Sequence, residues 1–152
     1  MKSRHFFSLA EERATFEEEG IADAEIVVSN VQSEGRYSII YARWLSTFEV
    51  PLHYHKTHSE TFYVLDGQVE WTVEGETRVL SAGDAVYIPP NATHRVRVLG
   101  DRDALNLLVY EPGGYEEQVD YKMNFTPEEL EDPDVKDRIR KKNDFHVLDT
   151  SD

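Results

Sequence analysis

His53 and His55 stand two residues apart in the stretch Pro51-Leu-His-Tyr-His-Lys-Thr-His-Ser-Glu60, which reads as extended chain. Strand side chains alternate faces, so the two imidazoles leave the backbone on the same side and converge. Glu60 opens the apolar run Thr61-Phe-Tyr-Val-Leu-Asp-Gly67, and His94 follows a Pro-Pro-Asn turn ahead of the alternating Arg95-Val-Arg-Val98. Together His53, His55, Glu60 and His94 offer three neutral imidazoles and a carboxylate. That donor set suits a first-row divalent transition metal, whether Fe, Mn, Ni, Co, Zn or Cu, and leaves about two octahedral positions open for a bidentate substrate, or for substrate plus dioxygen or water. Glu60 is the expected catalytic residue, either as a permanent ligand or as a mobile general base. His58, in the turn between His55 and Glu60, is expected to be an exposed loop histidine, and His5 and His146 to face solvent.

The elements that must position these groups are mostly strands. From about Ile26 to Tyr110 short runs rich in Val, Ile, Tyr, Phe and Trp alternate with Gly, Asp, Asn and Pro. Strands are expected at 26–31, 36–48, 61–66, 68–74, 77–80, 85–88, 94–99 and 104–110. That many short strands point to a barrel or sandwich. Asp66-Gly67 and Glu74-Gly75-Glu76 read as tight hairpins, so the strands flanking each should pair antiparallel. Ser8-Leu-Ala-Glu11 has the form of a capping box, which predicts a helix from Leu9 to Glu19 ended by Gly20. Thr126-Pro-Glu-Glu129 is a second box, with Pro133 breaking or restarting the helix that follows, and the tail beyond Asn143 carries no strong signal. The 152 residues fit one domain, with an N-terminal arm at 1–25, a barrel core at about 26–112 and a C-terminal arm at 113–152.

Two segments resemble a known family. His53-x-His55-x4-Glu60-x6-Gly67 resembles the first cupin motif, and Gly83-x5-Pro89-x-Asn91-x2-His94 the second. The resemblance implies an all-β jelly-roll barrel, here with short helical arms at both ends, and His53, His55, Glu60 and His94 as its metal ligands. Three positions depart from the usual pattern: Thr47 and Asn91 stand where the motifs carry Gly, and Val98 where the second ends in Asn. Asn tolerates a left-handed turn nearly as well as Gly, so Asn91 costs little. The Thr61–Gly67 run and Glu111-Pro-Gly-Gly-Tyr-Glu116 further resemble the quercetin-dioxygenase-like single-domain cupins. A metal-dependent dioxygenase acting on a small enolic or phenolic substrate is therefore the leading expectation. A lyase, isomerase or decarboxylase working through an enolate, a non-catalytic binding cupin and a structural barrel are the alternatives.

Strand parity proposes the substrate-facing surface. If Glu60 points inward, Phe62 and Val64 share its face, and Val96 and Val98 share that of His94. Tyr41 and Arg43 lie on one face of their strand with Ile40, Ala42 and Trp44 on the other, and parity leaves open which is inside. Tyr41 and Arg43 would give a pocket a phenol and a carboxylate-binding guanidinium. Tyr110 is a further lining candidate, and Trp44 and Trp71 are expected to pack.

Thirty acidic residues against sixteen basic ones give a formal charge of −14, which repels nucleic acid and anionic membranes. Without cysteine, disulfides, thiolate ligands and cysteine nucleophiles are excluded. No nucleotide-binding glycine motif, Gly-x-Ser-x-Gly or His-Glu-x-x-His is present. A cytoplasmic location and a homodimer joined through the N-terminal arm or a sheet edge complete the expectations.

Overall fold

The computed structural model describes residues 4–18 and 20–148. Two antiparallel sheets face each other. One has the order β1 (Thr15–Glu18), β2 (Ile21–Val28), β3 (Ser38–Trp44), β10 (Ala104–Glu111), β5 (Ser59–Asp66) and β8 (Ala85–Ile88). The other runs β11 (His146–Val147), β4 (Glu49–Tyr54), β9 (His94–Val98), β6 (Val69–Val73) and β7 (Glu76–Leu80). This is the jelly roll that the resemblance implied.

Alternation builds the interior. On β3, Ser38, Ile40, Ala42 and Trp44 are buried, and on β9 the same holds for His94, Val96 and Val98. Trp44 stacks on Phe48 at 4.3 Å between ring centroids and lies 5.7 Å from Phe62 and 6.2 Å from Trp71. Both tryptophans are core residues, as expected. Phe62, Val64, Val96 and Val98 do point inward, but they belong to this packed cluster.

The N-terminal arm departs from expectation. No helix runs from Leu9 to Glu18, and Glu19 lies outside the described residues. Ala10–Glu12 make a single 3-10 turn, after which β1 and β2 extend the six-stranded sheet. The Ser8 hydroxyl, instead of capping, donates to the Val27 carbonyl at 2.5 Å and accepts from Arg13 Nε. Pairing with β2 satisfies the backbone that a marginal helix would have satisfied alone, and tertiary pairing outweighs local propensity.

Two other expectations change. The long strand expected at 36–48 ends at Trp44, and β4 begins a separate strand in the other sheet. Asp66-Gly67 does not close a hairpin, because β5 and β6 belong to different sheets. Gly67, at φ +83°, turns the chain across, and any Cβ there would sit 2.8 Å from the Asp103 carbonyl and 2.9 Å from Ala104 Cα. Glu74-Gly75 does form the expected hairpin, with φ of 48° and 81° joining β6 to β7.

Beyond the barrel, α1 (Tyr115–Lys122) is a helix with no sequence forecast, and α2 (Pro133–Lys142) starts at Pro133 behind the Asp132 N-cap. The Thr126–Glu129 box closes reciprocally, Thr126 N donating to Glu129 Oε2 and Glu129 N to Thr126 Oγ1. Among the described residues no helix is long and apolar enough to cross a membrane.

Candidate metal centre

His53 and His94 face each other directly across the β4–β9 pair, while Glu60 comes from β5 in the opposite sheet. A one-residue bulge between Val50 and His53 re-aims β4 at this point, and Pro51, which cannot donate to a ladder, sits within it. His55 lies just past β4. The second-motif turn holds that loop in place: Asn91, in the left-handed conformation at φ 70°, donates its N–H to the His55 carbonyl at 2.6 Å.

The four side chains are buried, each 5% exposed or less. Ring centroids lie 4.1 Å apart for His53 and His94, 4.8 Å for His53 and His55, and 5.3 Å for His55 and His94. One ligand atom from each of these three histidines can be chosen so that all lie within 4.8 Å of one another. Glu60 Oε1 is 3.0 Å from His55 Nε2, and Oε2 is 3.4 Å from His94 Nε2. The cluster is thus able to hold a metal.

Each imidazole is oriented through its other nitrogen. Nδ1 of His53 donates to the Pro51 carbonyl at 2.7 Å, that of His94 to the Ala92 carbonyl at 2.9 Å, and that of His55 to the Asp144 carbonyl at 2.8 Å. A carbonyl only accepts, so Nδ1 carries the hydrogen and the Nε2 lone pair is presented inward, the tautomer that metal ligation requires. His94 Nε2 is buried without a hydrogen-bond partner. An orphaned lone pair beside a buried carboxylate is costly unless a cation lies between them, and the donor set fits a divalent transition metal.

Electrostatics agree with the geometry. Burial, reinforced by neighbouring His94, pushes His53 down to about 3, so it is neutral and ready to ligate. Burial alone would raise Glu60, but hydrogen bonds from His55 and His58 and the approach of His94 hold it well below the ordinary carboxylate range. His55 is raised, since the hydrogen bond to Glu60 and its charge overcome the burial that would lower it. In the metal-free protein a proton on His55 therefore stands in for the cation. Metal uptake at mildly acidic pH should release protons, and the release should diminish as pH rises through the elevated pKa of His55. Calorimetry in buffers of different ionisation enthalpy measures this directly; uptake without proton release at pH near 6 contradicts it.

His58 is not an exposed loop residue. It is 6% exposed, places Nε2 3.2 Å from Glu60 Oε1 and stacks on Tyr110 at 4.7 Å. Both rings line a cleft of about 280 Å³ between the barrel mouth and the C-terminal helices, together with Thr57, Gln118, Lys142 and Asp144. Tyr110 borders this cleft. Phe62, Val64, Val96 and Val98 do not line this cleft. Tyr41 and Arg43 correct the sequence expectation: they lie on the outward face of β3, with Arg43 exposed and 3.6 Å from Asp23. Ile40, Ala42 and Trp44 take the inner face because burying apolar surface there outweighs any pocket role for a guanidinium. His146 is half-buried and paired with Asp144 Oδ1 at 2.7 Å, whereas His5 is exposed as expected.

The fold and this centre define a small β-barrel protein with a buried cluster able to hold a metal ion. Residues 45–114 match the model of the cupin domain, which bears out the cupin resemblance over that stretch. It is 30% identical over 73 residues to a quercetin 2,3-dioxygenase of Bacillus subtilis, a match covering 48% of this chain and 22% of that enzyme. It is 41% identical over 69 residues to an uncharacterized protein of Aquifex aeolicus, covering 45% of this chain and 55% of the relative. The chain therefore matches less than two thirds of the length of either. Among solved structures, KdgF from Halomonas sp. superposes with a TM-score of 0.64 at 25% identity, over 74% of this chain and 98% of that one.

Proposed function

We propose that this protein is a metal-dependent cupin dioxygenase that acts on a small substrate bearing an enolic or phenolic oxygen. The observation that carries the reading is the buried cluster of His53, His55 and His94, with Glu60 beside His55 and His94 and joined through His58 to a solvent-reached cleft. The stretch shared with the Bacillus subtilis dioxygenase lends support. A bound divalent transition metal would polarise the substrate oxygen and hold it beside dioxygen.

The chain's own residues would do the rest. His53, His55 and His94 would hold the ion, and Glu60, kept ionised by its histidine neighbours, would either complete the ligand set or accept the substrate's proton. Tyr110 and His58 would form one wall of the substrate site. Phe62, Val64, Val96 and Val98 would contribute the apolar floor beneath the centre. At about 280 Å³ the cleft lies at the lower end of small-molecule sites, which favours a compact substrate.

A second reading has an observation of its own. His58 joins Glu60 to the cleft through a 3.2 Å contact, so a proton taken from substrate has a path between two side chains. That arrangement serves a lyase, isomerase or decarboxylase working through an enolate, with no dioxygen consumed.

The oxygen electrode separates the two. Protein loaded in turn with Fe, Mn, Ni or Co is offered quercetin, catechol and acetylacetone, and substrate loss is followed alongside oxygen uptake. The dioxygenase reading expects uptake stoichiometric with substrate loss, abolished in Glu60→Ala. Turnover over a flat oxygen trace transfers the assignment to the second reading, and metal-loaded protein that turns over none of these probes counts against the first.

A further inference from the structure

The segment that follows α2 touches the metal centre at several points. Helix α2 ends in a Schellman motif: Phe145 N donates to the Arg140 carbonyl at 2.8 Å and Asp144 N to that of Lys141 at 3.3 Å, with Asp144 left-handed at φ 54°. This termination aims the Asp144 carbonyl at His55 Nδ1, 2.8 Å away. The Asp144 carboxylate then clamps the loop carrying His55. Its Oδ2 accepts from Lys56 N at 2.8 Å, Thr57 N at 2.8 Å and Thr57 Oγ1 at 2.7 Å, while Oδ1 is paired with His146.

The next residue covers the site. Phe145 stacks on His53 with centroids 4.1 Å apart and planes 17° apart, and meets the edge of His55 at 5.6 Å. Beyond it β11 pairs with β4, placing Val147 opposite His53 and His146 opposite Tyr54. Two of the three imidazoles are thus held by this one segment, one through a carbonyl and one through a ring face. Unlike the Pro51 and Ala92 carbonyls, each two residues before the histidine it orients, the Asp144 carbonyl reaches its histidine across 89 residues of chain.

We infer that the C-terminal segment around Asp144 and Phe145 is a positioning strap that completes the metal centre, with Asp144 setting the tautomer and direction of His55 and Phe145 shielding His53 from water. Asp144 is a positioning residue, acting through His55. The left-handed backbone at Asp144 is a sparsely populated conformation for a residue with a side chain, and it is held by the three bonds its carboxylate accepts from the Lys56-Thr57 loop. A barrel lacking the strap would keep the ligand residues in sequence but leave His55 free to turn and the centre open to solvent, weakening the ion's grip.

The inference rests on the metal-centre reading, so its test has a readout that does not need the metal. Wild type, Asp144→Ala, Asp144→Asn and Thr57→Val are titrated with Co²⁺ alone, following the visible spectrum. In parallel, ¹⁵N shifts of the His55 ring are recorded on the metal-free proteins in alkaline buffer, where the ring is neutral. Asp144→Ala should weaken Co²⁺ binding by about ten- to a hundredfold, the range of outer-shell substitutions at metal histidines. It should also shift the His55 ring toward a mixture of tautomers. Asp144→Asn keeps an acceptor and tolerates the left-handed turn, so it should restore most of both, and Thr57→Val should move both in the direction of Asp144→Ala by less. Should Asp144→Ala fail to fold, the other two variants carry the test. Co²⁺ affinity and His55 shifts unchanged across the variants overturn the strap. A wild type that takes up no Co²⁺ refutes the metal reading instead, and the His55 shifts alone then decide whether Asp144 orients the ring.

Discussion

Replacing His94 by alanine is expected to abolish stoichiometric metal binding, raising the dissociation constant for Co²⁺ or Zn²⁺ by more than about a hundredfold. Outer-shell changes already cost ten- to a hundredfold, and His94 is placed to supply a donor atom itself. Its Nε2 is buried, 3.4 Å from Glu60 Oε2, and without a hydrogen-bond partner, so it is available to an ion. The same substitution should uncouple stability from metal. A ligand present at a hundred times its dissociation constant stabilises the folded state by about 2.7 kcal/mol, and a hundredfold weaker site at the same concentration yields about 0.4 kcal/mol. Thermal unfolding with and without Zn²⁺ measures the difference. An equal metal-dependent rise in Tm for wild type and variant would mean that the ion binds elsewhere, among the chain's many acidic residues.

Trp44→Ala should produce the largest loss of stability in the barrel, about 3–5 kcal/mol, the cost usual for deleting a buried aromatic side chain. Trp44 is 2% exposed and stands between Phe48, Phe62 and Trp71, so its removal opens a void that three rings cannot jointly fill. For a domain of this size each kcal/mol moves Tm by about 2–4 °C, which predicts a fall of roughly 6–20 °C. The measurement also decides what the barrel interior is for. A loss below about 1 kcal/mol would mean that the interior is loosely packed, and Phe62, Val64, Val96 and Val98 would return as direct substrate contacts. The full loss would keep the substrate in the cleft beside His58 and Tyr110.

Much of the centre was legible in the sequence because its geometry is local. The i and i+2 histidines on an extended chain, the turn before His94, and the inward parity of Glu60 with Phe62 and Val64 each follow from a period of two residues. All of them reappear in the structure. The hairpin at Glu74-Gly75 was readable for the same reason, since its residues adopt positive φ without help from elsewhere.

What was not legible depended on partners distant in the chain. Ser8-Leu-Ala-Glu11 carries a true helix-start pattern, yet β2 competes for the same backbone and wins. Asp66-Gly67 carries a true hairpin pattern, yet the strands on either side find other neighbours, β10 and β8 for one and β9 and β7 for the other. Tyr41 and Arg43 could be assigned a face only once the opposite sheet was in place. His58 was expected to be exposed because a loop position and a polar ring are ordinarily solvated. It is buried because Tyr110, 52 residues away, supplies the surface it stacks on.

By itself, then, the sequence determined the donor set, the motif spacing, the all-β class and the exclusion of thiol chemistry, because residue type and short-range alternation are properties of the chain alone. Tertiary structure decided which face of β3 is inside, where the cleft opens, and that a tail without any recognisable signal reaches back to orient His55 and cover His53. A hydrogen bond between residues 55 and 144 leaves no periodic mark on either segment. It exists only once the barrel has brought the two together.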